Sequence, residues 1–208
     1  MHSDVLIVAS PGRGPRIEYT GGLAARQTEP DTVHLVSAAA TPLGGDTIGV
    51  RVVVEPGARL RLRSVAATIA LPGLTDMQSH AHWDLEVAGA LDLDPEPTVI
   101  AGGSSHVAVT RVRIDGRGSV RLRERVQIGR AGEHHGFWSG SMSADLDGLP
   151  LLRHRVEFGT GAVTDDELAT PRAYVSELRY PETTFDGQGT VMALAAGGCL
   201  STWQGALL

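Results

Sequence analysis

The feature that most constrains the fold is strict alternation. Val50, Val52 and Val54 alternate with Arg51, Val53 and Glu55, and after a Pro56-Gly57 turn Leu60 and Leu62 alternate with Arg59, Arg61 and Arg63. Period two is what an extended strand with one buried face produces; on a helix the same order would scatter the apolar residues round the axis. Residues 107–114 and 119–128 repeat the pattern, joined by Asp115-Gly116-Arg117-Gly118. Asp-Gly between alternating runs predicts a hairpin, because such a turn needs positive φ. Further strands are predicted at 33–38, 81–87, 139–146, 151–158, 173–180 and 190–195.

Turn signals recur about every 10–12 residues, the spacing of sandwiches, barrels and β-solenoids, and the 26 glycines serve those turns. Asp165-Asp166-Glu167-Leu168 is the only helix start in the pattern, and Pro171 cuts it short. No repeat is firm enough in sequence to define a repeat protein. The expected class is therefore mainly β: a β-helix-like, multi-sheet stack of many short strands with few helices. At 208 residues the chain is long enough to bury a core without a disulfide or metal, and 1–208 reads as a single β domain.

Composition excludes several functions. The net charge of −6 argues against a nucleic-acid partner, whose binder is normally basic over its footprint. One cysteine, Cys199, leaves no disulfide framework. The apolar run 5–9 is short for a leader and lacks a basic flank, and no stretch approaches the ~20 apolar residues of a membrane span. A cytoplasmic setting is the expectation. All 18 basic residues are Arg, which removes Schiff-base lysine and the lysine phosphate loop. No nucleophile elbow or His-Glu-x-x-His motif is present.

Three constellations carry possible chemistry. In 79–88, alternation puts His80, His82, Asp84 and Glu86 on one face and Ala81, Trp83, Leu85 and Val87 on the other. Same-face neighbours on a strand lie ~7 Å apart, so two can share an ion but four cannot. The row reads either as a solvated polar face or as a transient metal-contact surface. Glu124 shares its face with Val120, Leu122, Val126 and Ile128, while Arg121, Arg123 and Arg125 take the other. A carboxylate on an apolar face is costly unless paired, so Glu124 is either half of a buried pair or a polar spot lining an internal passage. Glu133-His134-His135 reads as a surface loop. His34, His106 and His154 read as packing or surface histidines.

Two glycine turns complete the pattern: Leu43-Gly44-Gly45-Asp46-Thr47, and Gly129-Arg130-Ala131-Gly132-Glu133. Together with 33–36, 50–63, Ala66-Ala67-Thr68 and Pro95-Glu96-Pro97-Thr98, these spans resemble, in order, the urease accessory protein D (UreD, or UreH) family. The match covers roughly residues 33–158. The second turn is a shortened form of the family's Gly-Arg…Gly-Glu signature. Ile69-Ala70-Leu71-Pro72 departs from the lysine and aromatic usual at that point.

The resemblance implies a β-rich scaffold chaperone of urease maturation that is not itself an enzyme. It implies binding to apo-urease, to UreF and, through it, to the GTPase UreG. It also implies GTP-dependent nickel delivery along a passage through UreF and UreD, with no tightly bound cofactor and nickel only in transit. His80, His82, Asp84, Glu86 and Glu124 are the residues that could meet the ion, and Gly44, Gly45, Asp46, Gly129, Arg130, Gly132 and Glu133 mark the family turns. Rival readings are a cupin-like metal enzyme using His80 and His82, and a β binding module with no metal role.

Overall fold

The computed structural model describes residues 1–163, 165, 170–184 and 189–208. Among them the chain forms strands and no helix. In order these are β1 (His2–Ala9), β2 (Arg16–Thr20), β3 (Leu23–Glu29), β4 (Thr32–Ser37), β5 (Thr47–Val54), β6 (Arg59–Ser64), β7 (Thr68–Ala70), β8 (Gln78–Val87) and β9 (Ala90–Leu93). There follow β10 (Thr98–Ile100), β11 (Ser105–Ile114), β12 (Ser119–Ile128), β13 (Phe137–Leu146), β14 (Leu149–Gly159), β15 (Ala173–Tyr180), β16 (Thr190–Ala193) and β17 (Cys199–Gly205). The helix start read at Asp165-Asp166-Glu167-Leu168 lies, beyond Asp165, outside the described residues.

Two sheets face each other. One has seven strands in the order β14-β13-β11-β8-β5-β1-β2; the other has ten, running β16-β17-β15-β12-β9-β6-β4-β3, with β10 and β7 beside β12. The chain crosses from the first sheet to the second four times by short connections, β2 to β3, β5 to β6, β8 to β9 and β11 to β12. Each successive strand then lies parallel to its predecessor: β5, β8, β11 and β13 in one sheet, β6, β9 and β12 in the other. The result is a β-solenoid of stacked rungs. Antiparallel strands flank it: β2 and the β3–β4 hairpin at one side, β14 and the β15-β17-β16 meander at the other.

This arrangement corrects one expectation. Asp115 to Gly118 does not close a hairpin, since β11 and β12 belong to different sheets and share no ladder. Both flanking strands bury one face, and the turn folds those two faces onto each other rather than setting the strands edge to edge. Gly116 has φ +60°, as an Asp-Gly turn requires, but that serves an arch as well as a hairpin. The arches stack tightly. At Gly89, between β8 and β9, a Cβ would fall 2.4 Å from the Ala58 carbonyl oxygen and 2.5 Å from that of Glu55.

Two of the returns from the second sheet to the first, β4 to β5 and β12 to β13, are the glycine turns of the sequence. The Leu43–Asp46 turn rests on the next rung, where Gly44 N–H donates to the Leu71 carbonyl and Gly45 N–H to that of Gln78. Asp46, buried, accepts from Leu43 N–H (2.9 Å), from the Thr41 hydroxyl (2.9 Å) and from the Met1 amino group. Burial acts to raise the Asp46 pKa, but these hydrogen bonds and the amino charge together hold it below the ordinary value. Further along, Glu133 ties the 129–133 turn to its neighbour by accepting from Arg130 N–H (3.0 Å) and Gly102 N–H (2.8 Å). The Arg130 guanidinium binds the same carboxylate. These bonds, that of the guanidinium first, pull the Glu133 pKa down to about 2.

The apolar faces of the two sheets meet in two clusters. The larger runs from Ile7 and Val52 through Leu62, Leu85, Leu93, Val112 and Leu122 to Leu178. The smaller holds Ala70, Ile100, Ala108, Val126, Ile128, Trp138, Phe158 and Tyr174. Outside the ten-stranded sheet, half-buried ion pairs hold the strands together: Arg121 reaches Asp92 (3.0 Å), Asp94 (3.2 Å) and Glu177 (2.9 Å).

Gly89→Ala should lower stability by about 1–3 kcal/mol, the cost of forcing packed backbone apart. Gly116→Ala, with nothing within 4 Å of its Cβ, should cost only the ~1 kcal/mol of a left-handed residue. Thermal melts of the two variants compare the costs directly.

Candidate functional site

A cavity of about 360 Å³ separates the two apolar clusters. Its origin lies in a break in the ten-stranded sheet. In two successive rungs the strand is interrupted, between β6 and β7 at 65–67 and between β9 and β10 at 94–97. Pro95 and Pro97 flank Glu96 in the second gap, and without N–H groups they cannot extend a ladder. The third rung is continuous: β12 pairs with β9 over 119–122 and with β10 over 126–128, so residues 123–125 face the gap.

Arg123-Glu124-Arg125 therefore stands at the break. The two arginines project to the outside, where Arg125 donates to Asp94 (3.1 Å) and the Pro95 carbonyl (2.6 Å) and Arg123 lies 3.6 Å from Glu177. Glu124 points the other way and lines the cavity with Trp83, His106, Thr110 and Trp138. The lining continues out to the exposed residues Val65, Ala66, Ala67 and Glu96. The cavity thus opens through the gap in the sheet.

Among the described residues the Glu124 carboxylate has no ion-pair or hydrogen-bond partner. Glu124 lines the cavity, and the buried pair that the sequence also allowed is not formed among the described residues. Its atoms touch the cavity, so the residue is only intermediate in exposure; protein nevertheless surrounds it, and burial pushes its pKa up to about 7. The Tyr174 phenol is raised, by burial first and then by the Glu124 charge, and its hydroxyl bonds His154 Nε2 at 2.8 Å. His106 bonds the Ser79 hydroxyl at 2.8 Å, and burial, then His80's charge, lower its pKa to about 4. His106 is a cavity residue that the sequence left as a packing histidine. Its signal was parity, since it shares the inward face of β11 with Ala108 and Thr110.

The polar row of β8 lies elsewhere. Ala81 and Trp83 face inward, so His80, His82, Asp84 and Glu86 stand on the outer face of the seven-stranded sheet, away from Glu124. The row also divides in two. Glu86 accepts from Arg51 (2.9 Å) and Arg113 (2.8 Å), and Asp84 lies 4.0 Å from Arg111. The rings of His80 and His82 lie parallel, 6.3 Å apart, without hydrogen-bond or ion-pair partners among the described residues. No group of three His, Cys, Asp or Glu side chains among the described residues is placed to hold a metal ion. His134 and His135 are exposed in the turn before β13, and Cys199 is buried, its thiol donating to the Glu182 carbonyl.

Fold and site together define a β-solenoid sandwich whose distinguishing feature is a space between its sheets, guarded by one unpaired carboxylate. The family model described as UreD urease accessory protein matches residues 20–176. Urease accessory protein UreD of Frankia casuarinae is 42% identical over 76% of this chain and 55% of its own length. UreD of Frankia alni is 47% identical over 80% of this chain and 62% of its own, and UreD 1 of Saccharopolyspora erythraea 35% identical over 87% and 74%. The chain belongs to the UreD urease accessory protein family. It spans between 55% and 74% of the length of these three relatives.

A carboxyl whose folded pKa lies above its unfolded value destabilises the fold when ionised. The Glu124 penalty should be absent below its unfolded pKa of about 4.3, grow as pH rises, and be complete above about 7. The corresponding ceiling is on the order of 3 kcal/mol, reduced by water in the cavity. Glu124→Gln should therefore gain on the wild type between about pH 5 and about pH 8, as read by urea unfolding. Equal differences at both pH values would mean that the carboxylate is paired.

Proposed function

We propose that this chain is a scaffold in urease maturation: a non-catalytic protein that docks on apo-urease and on the UreF/UreG complex and assists GTP-dependent delivery of nickel to the urease site. Family membership supports the accessory role. The observation that carries the finer reading is the cavity that opens through the ten-stranded sheet with an unpaired Glu124 on its wall.

The chemistry of handing on a metal ion favours such a wall. Nickel stands high in the divalent affinity series, below copper. A closed, multi-ligand site would hold nickel and bind copper more tightly. A route that releases its cargo needs single, spaced ligands. Glu124 supplies one carboxylate, the neutral His106 ring contributes a polar wall, and Trp83 and Trp138 confine the space. Ionised Glu124 attracts a divalent ion; its elevated pKa makes the ionised form costly without one, so ion and charge favour each other.

The cupin-like alternative draws no support from the geometry. It requires His80 and His82 to converge with a third ligand inside a closed pocket, whereas the pair lies on an open outer face.

Co-expression with the urease genes tests the reading. Omitting this chain should leave purified urease with a small fraction of its nickel, and normal nickel content would refute the proposal. Glu124→Ala should keep co-purification with the partner proteins while lowering nickel loading several-fold. Glu124→Asp should recover part of the loss. Loss of co-purification in Glu124→Ala with a normal thermal melt would assign the residue to docking instead.

A further inference from the structure

The outer face of the ten-stranded sheet carries a local excess of positive charge. β6 turns Arg59, Arg61 and Arg63 to this face and β12 turns Arg121, Arg123 and Arg125, with Leu60, Leu62 and Leu122 on the inner side. β9 runs between the two columns and sets Asp92 in register with both Arg61 and Arg121. These six guanidiniums meet Asp92, Asp94 and Glu177, with Asp31 4.0 Å from Arg61 at the margin. The chain as a whole has a net charge of −6, so the excess is a property of this face and not of the composition.

The arginines are of two kinds. Arg63, Arg121 and Arg125 are committed, and between them they occupy both oxygens of Asp92 and both of Asp94. Glu177 is shared by Arg121 and Arg179. The other three are left over. Among the described residues Arg59 has no ion pair or hydrogen bond, Arg61 has only the 4.0 Å approach to Asp31, and Arg123 only the 3.6 Å approach to Glu177. Arg123 Nε is buried with no acceptor, and a buried donor without an acceptor carries a desolvation cost that an incoming acceptor offsets.

Carboxylates on an extended segment match this layout. Same-face residues of a strand recur every ~7 Å, and the two arginine columns lie two strand spacings, roughly 10 Å, apart. A second extended segment has the same ~7 Å repeat, so acidic side chains along one of its faces can meet successive guanidiniums, each of which takes a carboxylate by two parallel bonds. A nucleic acid fits less well, because the Asp92 and Asp94 column between the arginines and the net charge of −6 both repel a continuous run of phosphates. Val65, exposed just beyond β6, adds an apolar anchor beside the charges, a combination common in protein interfaces.

We propose that this face docks an acidic segment of a partner protein, with Arg59, Arg61 and Arg123 receiving its carboxylates. Arg63, Arg121 and Arg125 form the fixed frame that keeps Asp92 and Asp94 occupied, so those two aspartates do not compete for the three free guanidiniums. The inference uses the outer face alone and rests neither on the cavity nor on the maturation role.

The probe is a fluorescein-labelled peptide alternating Glu with Thr over about ten residues, the length of a long strand, titrated with the full chain and read by fluorescence anisotropy. The Arg59→Ser/Arg61→Ser/Arg123→Ser variant should bind about tenfold more weakly, as three exposed ion pairs together would give. Wild-type affinity should fall by a similar factor between about 50 mM and about 500 mM salt. Arg123→Lys, which keeps the charge and loses the planar fork, should fall between wild type and the triple variant. Arg111→Ser/Arg113→Ser/Arg155→Ser removes the same charge from the outer face of the seven-stranded sheet and should leave binding within about twofold of wild type. The first triple variant deletes no hydrogen bond among the described residues, so its thermal melt should match the wild type. Equal losses in the two triple variants, wild-type affinity in the first, tighter binding of a single-stranded DNA oligonucleotide of the same charge, or no binding of the peptide at low salt would each overturn the proposal.

Discussion

The parallel backbone ladder between rungs is the interaction on which the rest of the structure depends. β5, β8, β11 and β13 share one unbroken hydrogen-bonded register, and β6, β9 and β12 another. Once those ladders form, every even-numbered residue from Val50 to Val54 and from Leu60 to Leu62 must face the partner sheet. The arches and glycine turns are then constrained to a fixed height. This is why Gly89 lies against two carbonyls and why Asp46 and Glu133 spend their carboxylates on backbone N–H groups. The family's signature turns are corners of a stack, held by neighbours above and below.

The cavity is the place where that regularity lapses. Two rungs stop short at 65–67 and 94–97, and the third crosses the gap carrying a carboxylate in the middle of its apolar stripe. Leu122 belongs to one apolar cluster, Val126 to the other, and Glu124 lies between them. A leucine at that position would favour closing the core into one mass. The sequence instead keeps an ionisable group where ionisation is expensive.

Much of this was legible in the residues. Alternation located β5, β8 and β11 to β15 to within a few positions, and parity alone set Glu124 inward and the His80 row outward. What alternation could not supply was pairing. Asp115-Gly116 reads the same for a hairpin and for an arch, because the local φ requirement is shared and the choice is made by distant strands. β1, β2, β3 and β17 were not read as strands, and the short strands β7, β9 and β10 were missed as well, since three or four residues carry too little pattern to register. The break that they define was therefore invisible as well, although Pro95 and Pro97 marked its position. The division of the His80 row was hidden for a similar reason: Arg51, Arg111 and Arg113 come from neighbouring strands.

The interrupted sheet has a consequence for how the molecule breathes. At the gap, backbone groups that would join a ladder turn to single side-chain partners instead: Glu96 N–H donates to the Ser64 hydroxyl, and the Pro95 carbonyl accepts from Arg125. Such isolated bonds break one at a time, whereas those of a ladder break together. Amide hydrogen exchange should therefore enter the protein at this seam, with β12 and β15 still paired behind it. An aperture with this construction can widen by a few bonds and reclose, without borrowing from the stability of the stack.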